Sequence, residues 1–145
     1  MAATRFVKLA CFNVWRAELY NTALKELAKA LATNNVPSVY VDGSYLEENP
    51  YPRDIDAFFE LTPQQYKAMF VVFGINTFKD WHLNMKSHRI DAYPSVIGST
   101  NVSKEGMFFN TDLDYWLWKF HKSKDGIEKG IAYLGTADIL TETPS

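Results

Sequence analysis

The chain has 145 residues, 47% hydrophobic and 15% aromatic, with a formal net charge of −2 and a pI near 5.9. That length supports one well-buried domain rather than two, and the slightly acidic balance argues against a surface that grips long nucleic acid through its phosphates. Cys11 is the only cysteine, so neither a disulfide framework nor a cysteine-based zinc site is available, and no run of about eighteen uncharged apolar residues offers a signal peptide or membrane span; a cytoplasmic protein with no membrane partner is expected.

From Arg16 to Ala32, Leu19, Tyr20, Ala23, Leu24, Leu27, Ala28 and Leu31 recur at three- and four-residue intervals, the apolar stripe of an amphipathic helix that Asn34 and Asn35 end. Val36 to Asp42 reads as a strand leading into Gly43-Ser44. Pro50 and Pro52 limit any helix beyond that turn to Tyr45–Asn49. Ile55 to Leu61 makes the next strand, with Ala57 and Phe59 facing opposite to Phe58. Thr62, Pro63 and Gln65 then supply the N-cap, the first position and the reciprocal cap of a helix whose buried face is Tyr66, Met69, Phe70 and Phe73.

Ile75 to Lys86 is aromatic and irregular, either a strand or a loop with Trp81 beside a site. His88 to Pro94 reads as a short strand stopped by Pro94, with Ile90 and Ala92 facing one way and Asp91 the other. Gly98 to Gly106 reads as a loop. Thr111, Asp112 and Asp114 begin a last helix through Tyr115, Trp116, Trp118 and Phe120. Lys129 to Leu134 is a short terminal segment, and residues 136–145 form a tail polar enough to be disordered.

Within this order, Asp54 and Asp56 stand at i and i+2 and project to the same side of a strand. Two carboxylates held that close repel at neutral pH, and a hard cation such as Mg²⁺ removes the conflict. A neighbouring strand would bring Asp91 to the pair. Upstream, Gly43 lets a phosphate approach the main chain and Ser44 offers it a hydroxyl and an amide. An Asp-x-Asp alone is common on loops and strand ends, so the weight rests on the combination. Asp42 is a fourth acid in the same region, but Asp before Gly is ordinary turn chemistry.

Gly43-Ser44, then Asp54-Ile-Asp56, then Asp91 resembles the signature of the nucleotidyltransferase superfamily, with its polymerase-beta-like fold. Val41-Asp-Gly-Ser-Tyr45, Pro52-Arg-Asp-Ile-Asp56 and Lys129-Gly-Ile131 are similar to motifs of its small bacterial and phage members, over roughly residues 15 to 135. The resemblance implies an α/β (α+β) domain over residues 1–135, a minimal nucleotidyltransferase fold with a mixed sheet flanked by helices. It makes Asp54 and Asp56 ligands of Mg²⁺ (or Mn²⁺), Asp91 the third ligand and the base, and Gly43 and Ser44 the phosphate holders. The substrate implied is an NTP, with NMP passing to an acceptor hydroxyl on an RNA end such as tRNA, a partner protein or a small molecule. Toxin–antitoxin or phage-defence settings are implied as well.

Two departures stand out. The loop between Ser44 and Asp54 holds nine residues and includes Glu47 and Glu48, and only Ala92 to Ser145 follow Asp91, too little for the helical substrate region of larger members. Lys104 and Lys119 are candidates to neutralise a triphosphate, within or near a basic stretch that continues through His121, Lys122, Lys124 and Lys129, although lysines at such places are usually only solvated. Trp81, Tyr93, Phe108, Phe109 and Trp116 are candidates to stack on a base, although most aromatic rings must be core. His82, His88 and His121 lack metal-ligand spacing. Two other classes compete with the enzyme: a catalytically inactive nucleotide-sensing or protein-binding module on the same fold, and a small interaction protein whose acids are structural.

Overall fold

A computed structural model describes residues 2–42, 45, 49–72, 85–120 and 130–144, with the side chains of 70–72 excepted. Three helical segments open the chain: α1 (Ala3–Ala10), α2 (Val14–Leu19) and α3 (Lys25–Thr33), the last two joined by a π-helical turn, Tyr20–Leu24. The apolar stripe read from Leu19 to Leu31 is buried throughout. Helix α2 begins earlier than the stripe, because Asn13 caps it by accepting from the Arg16 N–H at 2.8 Å. At the far end Asn35 adopts φ +60, and the N–H groups of Asn35 and Val36 donate back to Ala32 and Leu31 at 3.0 and 2.9 Å. That reversal is a Schellman stop with asparagine in the left-handed position.

The chain then alternates through β1 (Ser38–Asp42), β2 (Ile55–Leu61), α4 (Pro63–Val72), β3 (Ile90–Val96), β4 (Val102–Lys104), β5 (Met107–Phe109), α5 (Asp112–Phe120), β6 (Ile131–Gly135) and α6 (Thr136–Thr141). β3, β2, β1 and β6 form a four-stranded sheet in that order, and β4 and β5 form a separate pair. β1 runs antiparallel to both neighbours, whereas β2 and β3 are parallel. The fold is therefore α+β with a mixed sheet. The parallel pair needs a crossover, and α4 lies on it. α4 starts with the expected reciprocal cap: the Gln65 N–H donates to Thr62 Oγ1 at 3.1 Å, and the Thr62 N–H to Gln65 Oε1 at 2.8 Å.

Alternation along the strands separates two cores. Val39, Val41, Ile55, Ala57, Phe59, Ile90, Ala92 and Leu134 meet Phe6, Leu24, Leu27 and Leu31 of the helices on one face. Phe58, Tyr93 and Tyr40 meet Tyr115, Trp116 and Phe120 of α5 on the other. β2 is thus covered on both sides, with Phe58 and Phe59 each fully buried.

Three expectations are corrected, and one element was not foreseen. Pro94 does not stop β3 but lies within it, paired with Phe59; β3 is an edge strand, where a missing donor is tolerated. Gly98–Gly106 is not all loop, because β4 and β5 turn at Glu105 (φ +54) and Gly106 (φ +75). α1 has no counterpart in the periodicity reading. The polar tail carries α6, whose Ile139 is buried and whose Thr136 Oγ1 donates to the Val36 carbonyl at 3.0 Å. Among the described residues no helix is long and apolar enough to cross a membrane.

Candidate metal centre

The acids meet where β2 and β3 begin. The parallel register sets Asp56 beside Asp91, and Asp54 immediately precedes β2 on the same side as Asp56. Each of the three offers a carboxylate oxygen, and these oxygens lie within 4.8 Å of one another. Asp54 is exposed, while Asp56 and Asp91 are half-buried. The backbone enforces this arrangement: the Ile55 N–H donates to the Arg89 carbonyl at 3.0 Å, which clips the start of β2 to the turn before β3. Arg89 has φ +65, a left-handed conformation unusual for a long side chain; it reverses the chain so that Ile90 enters the helix-side core and Asp91 faces away.

The donor set fits a hard cation. It is all oxygen and of one sign, with Asp54 open to solvent. Ligands of Mg²⁺ at about 2.1 Å lie roughly 3–4 Å apart, so a small rotation of the carboxylates suffices. Asp42, the last residue of β1, is buried. One step beyond the Val41–Ala57 pair, the antiparallel register sets it across from Asp56. It stands beside the cluster but is not one of the three residues whose oxygens converge.

Tyr93 is the member that sequence reasoning valued only as a ring. Its phenol hydrogen-bonds the Asp91 carboxylate, and its pKa is raised by burial first, then by the charge and hydrogen bond of Asp91, then by Asp56 and Asp54. The ring also stacks on Trp116 at 4.6 Å. The i, i+2 spacing from Asp91 was the available signal, since it puts both side chains on one face.

The loop delivering Asp54 is fastened to α2. Asn13 Nδ2 donates to the Pro50 carbonyl and Trp15 Nε1 to that of Pro52, both at 2.8 Å. Arg16 is fully buried; its guanidinium donates to the carbonyls of Ala10 and Asn49 and lies 4.6 Å from the ring centres of both Phe12 and Tyr45. The Tyr45 hydroxyl donates to the Arg16 carbonyl at 2.6 Å, and burial pushes its pKa up. Neither arginine nor tyrosine announces such burial in a sequence.

Lys119 is ion-paired with Glu105 at 2.7 Å, and Lys104 Nζ sits over the rings of Tyr115 and Trp116 at 4.9 and 5.2 Å. Neither belongs to the carboxylate cluster. Gly43, Ser44, Glu47, Glu48, Trp81, His82 and the basic stretch 121–129 lie outside the described residues. Of the other stacking candidates, Trp116 is buried and Phe108 is exposed on the β4–β5 hairpin.

No curated protein and no solved structure matches the chain. A family model described as a family of unknown function, DUF6932, matches residues 1–134. The chain, acidic cluster included, therefore belongs to the DUF6932 family.

Proposed function

We propose that the chain is a Mg²⁺-dependent nucleotidyltransferase that moves a nucleoside monophosphate from an NTP to an acceptor hydroxyl in the cytoplasm, breaking the α–β phosphoanhydride bond and releasing pyrophosphate. The observation that carries this reading is the convergence of Asp54, Asp56 and Asp91 from two parallel strands within 4.8 Å. Asp54, Asp56 and Asp91 would hold the metal, which supplies charge stabilisation at the phosphoryl oxygens when bound. Asp91 accepts the acceptor hydroxyl's proton at a carboxylate oxygen, and the Tyr93 phenol, hydrogen-bonded to that carboxylate, keeps it oriented. Gly43 and Ser44 hold the β- and γ-phosphates by analogy with the superfamily signature.

The test is label transfer from each α-labelled NTP with Mg²⁺ into a host-cell lysate, beside γ-labelled controls and Asp54→Ala, followed by nuclease or protease digestion. Transfer of the α-label alone, lost in Asp54→Ala, is the expected result. NTP binding without transfer would replace the enzyme by a nucleotide-sensing module, and Mg²⁺-independent behaviour throughout would make the acids structural.

A further inference from the structure

We propose that the rings of Trp15 and Tyr51, with the cations Arg53, Lys86 and Arg89, seat the acceptor, and that this acceptor is the end of a single-stranded nucleic acid. The assignment of an acceptor rests on the nucleotidyl-transfer reading; the nucleic-acid seat rests on the following geometry.

Two turns flank the carboxylates. One, Pro50–Arg53, runs into Asp54; the other, Lys86–Arg89, runs through Ile90 into Asp91. Pro52 and Arg89 are each two residues from an acid of the cluster, at most roughly 7 Å of chain. The Ile55 N–H to Arg89 carbonyl bond holds the turns side by side. Trp15, in the first turn of α2, is fixed by its indole bond to Pro52 and meets Tyr51 edge-on at 5.8 Å. The Arg89 guanidinium lies 5.1 Å from the Trp15 ring centre. Tyr51 remains 65% exposed and Trp15 36%, so neither ring is spent on the core.

Charge points the same way. Arg53, Lys86 and Arg89 are all exposed, and none takes part in an ion pair among the described residues. A ligand carrying phosphates would be repelled by three carboxylates alone; three cations outside any ion pair among the described residues offset that field. Rings that accept any base face, interleaved with arginine, are the composition of single-strand sites. The overall charge of −2 suits a grip on a few terminal nucleotides rather than a long duplex.

The experiment is fluorescence anisotropy of a short labelled single-stranded oligoribonucleotide with the full chain, with and without Mg²⁺, using AMP as competitor. Tyr51→Ala and Arg89→Gln alter exposed side chains, and melting curves check that both variants fold. Phe108→Ala removes a ring of comparable exposure on the β4–β5 hairpin and serves as the control. Stacking predicts that Tyr51→Ala weakens binding by about 5- to 150-fold. Arg89→Gln should weaken it and reduce the slope of log affinity against log salt by about 0.7, with Phe108→Ala unchanged. Absence of oligonucleotide binding to the wild type, or equal losses in Phe108→Ala, overturns the proposal. So does a Tyr51→Ala loss that is the same for AMP as for the oligonucleotide, which would assign the ring to the incoming nucleotide. Tyr51-dependent binding without label transfer would sink the enzymatic reading and leave the nucleic-acid seat standing; transfer to protein without oligonucleotide binding would do the reverse.

Discussion

Asp91 reaches the cluster with a phenol already attached, and that gives the site a spectroscopic handle. Burial, Asp91, Asp56 and Asp54 together keep the Tyr93 proton in place beyond the ordinary phenol value of 10.0. A phenol whose folded pKa is raised contributes stability that is complete below its unfolded pKa and is lost as pH rises through the folded value. Tyr93→Phe should therefore flatten part of the stability loss above about pH 10, read from denaturation midpoints across pH. Asp91→Asn should bring the Tyr93 step in tyrosinate absorbance down while leaving it above the ordinary value, because burial persists. If that step does not move, the carboxylate is not coupled to the phenol. The cluster also predicts a thermal signature: Mg²⁺ at a hundredfold excess over its dissociation constant adds about 2.7 kcal/mol, a rise of several degrees in melting temperature. Asp56→Asn should abolish that rise, and should melt above the metal-free wild type because a repulsion is gone. At this scale the i, i+2 spacing of Asp54 and Asp56 made their common direction legible. Asp42 was legible as the end of its strand but not as a buried one, because Asp before Gly reads equally well as solvated turn chemistry.

Elements place these residues through two devices of unequal visibility. The capping box of α4 was readable in Thr62-Pro-Gln-Gln65, since the atoms that pair are three residues apart. Thr62→Ala should cost about 1 kcal/mol, measured by urea denaturation, and an unchanged midpoint would mean that the cap contributes nothing. The Arg16 clamp was not readable. Its guanidinium bridges the end of α1 and the loop before β2 through the carbonyls of Ala10 and Asn49, a contact across 33 residues for the second. Burial lowers its pKa, with Tyr45 and Cys11 opposing the shift, and no carboxylate pairs with it among the described residues. Lysine keeps the charge but loses the planar fork and both ring contacts. Arg16→Lys should destabilise by about 2–3 kcal/mol and speed hydrogen exchange in residues 49–54; unchanged exchange there would show that the arginine does not hold the loop. Sequence periodicity treats a charge at the start of an amphipathic helix as solvent-facing, which is why this role was invisible.

At the scale of the whole molecule, the C-terminal segment closes the helical layer. β6 pairs with β1 from Ser38–Gly135 to Asp42–Ile131, and α6 then packs on α3, while the hydroxyl of Tyr20, in the π-helical turn before α3, donates to the Ile139 carbonyl at 2.9 Å. Ile139→Ala should cost about 2–4 kcal/mol, seen as a shifted denaturation midpoint; a loss under 1 kcal/mol would place α6 outside the cooperative core. The Thr-Ala-Asp-Ile-Leu-Thr run looks polar because only Thr136, Ile139 and part of Leu140 turn inward, and six residues hold too few turns for a period to emerge. The amino-acid sequence by itself determined the apolar stripe of the long helix, both central strands, the α4 cap and the pairing of Asp54 with Asp56, because each depends on atoms a few residues apart. Only the tertiary structure decided that β3 lies parallel to β2 and brings Asp91 to that pair, that Pro94 is carried in an edge strand, and that Arg16 is buried beneath the loop. Those outcomes depend on contacts between segments distant in the chain, and no local spacing encodes which segments will meet.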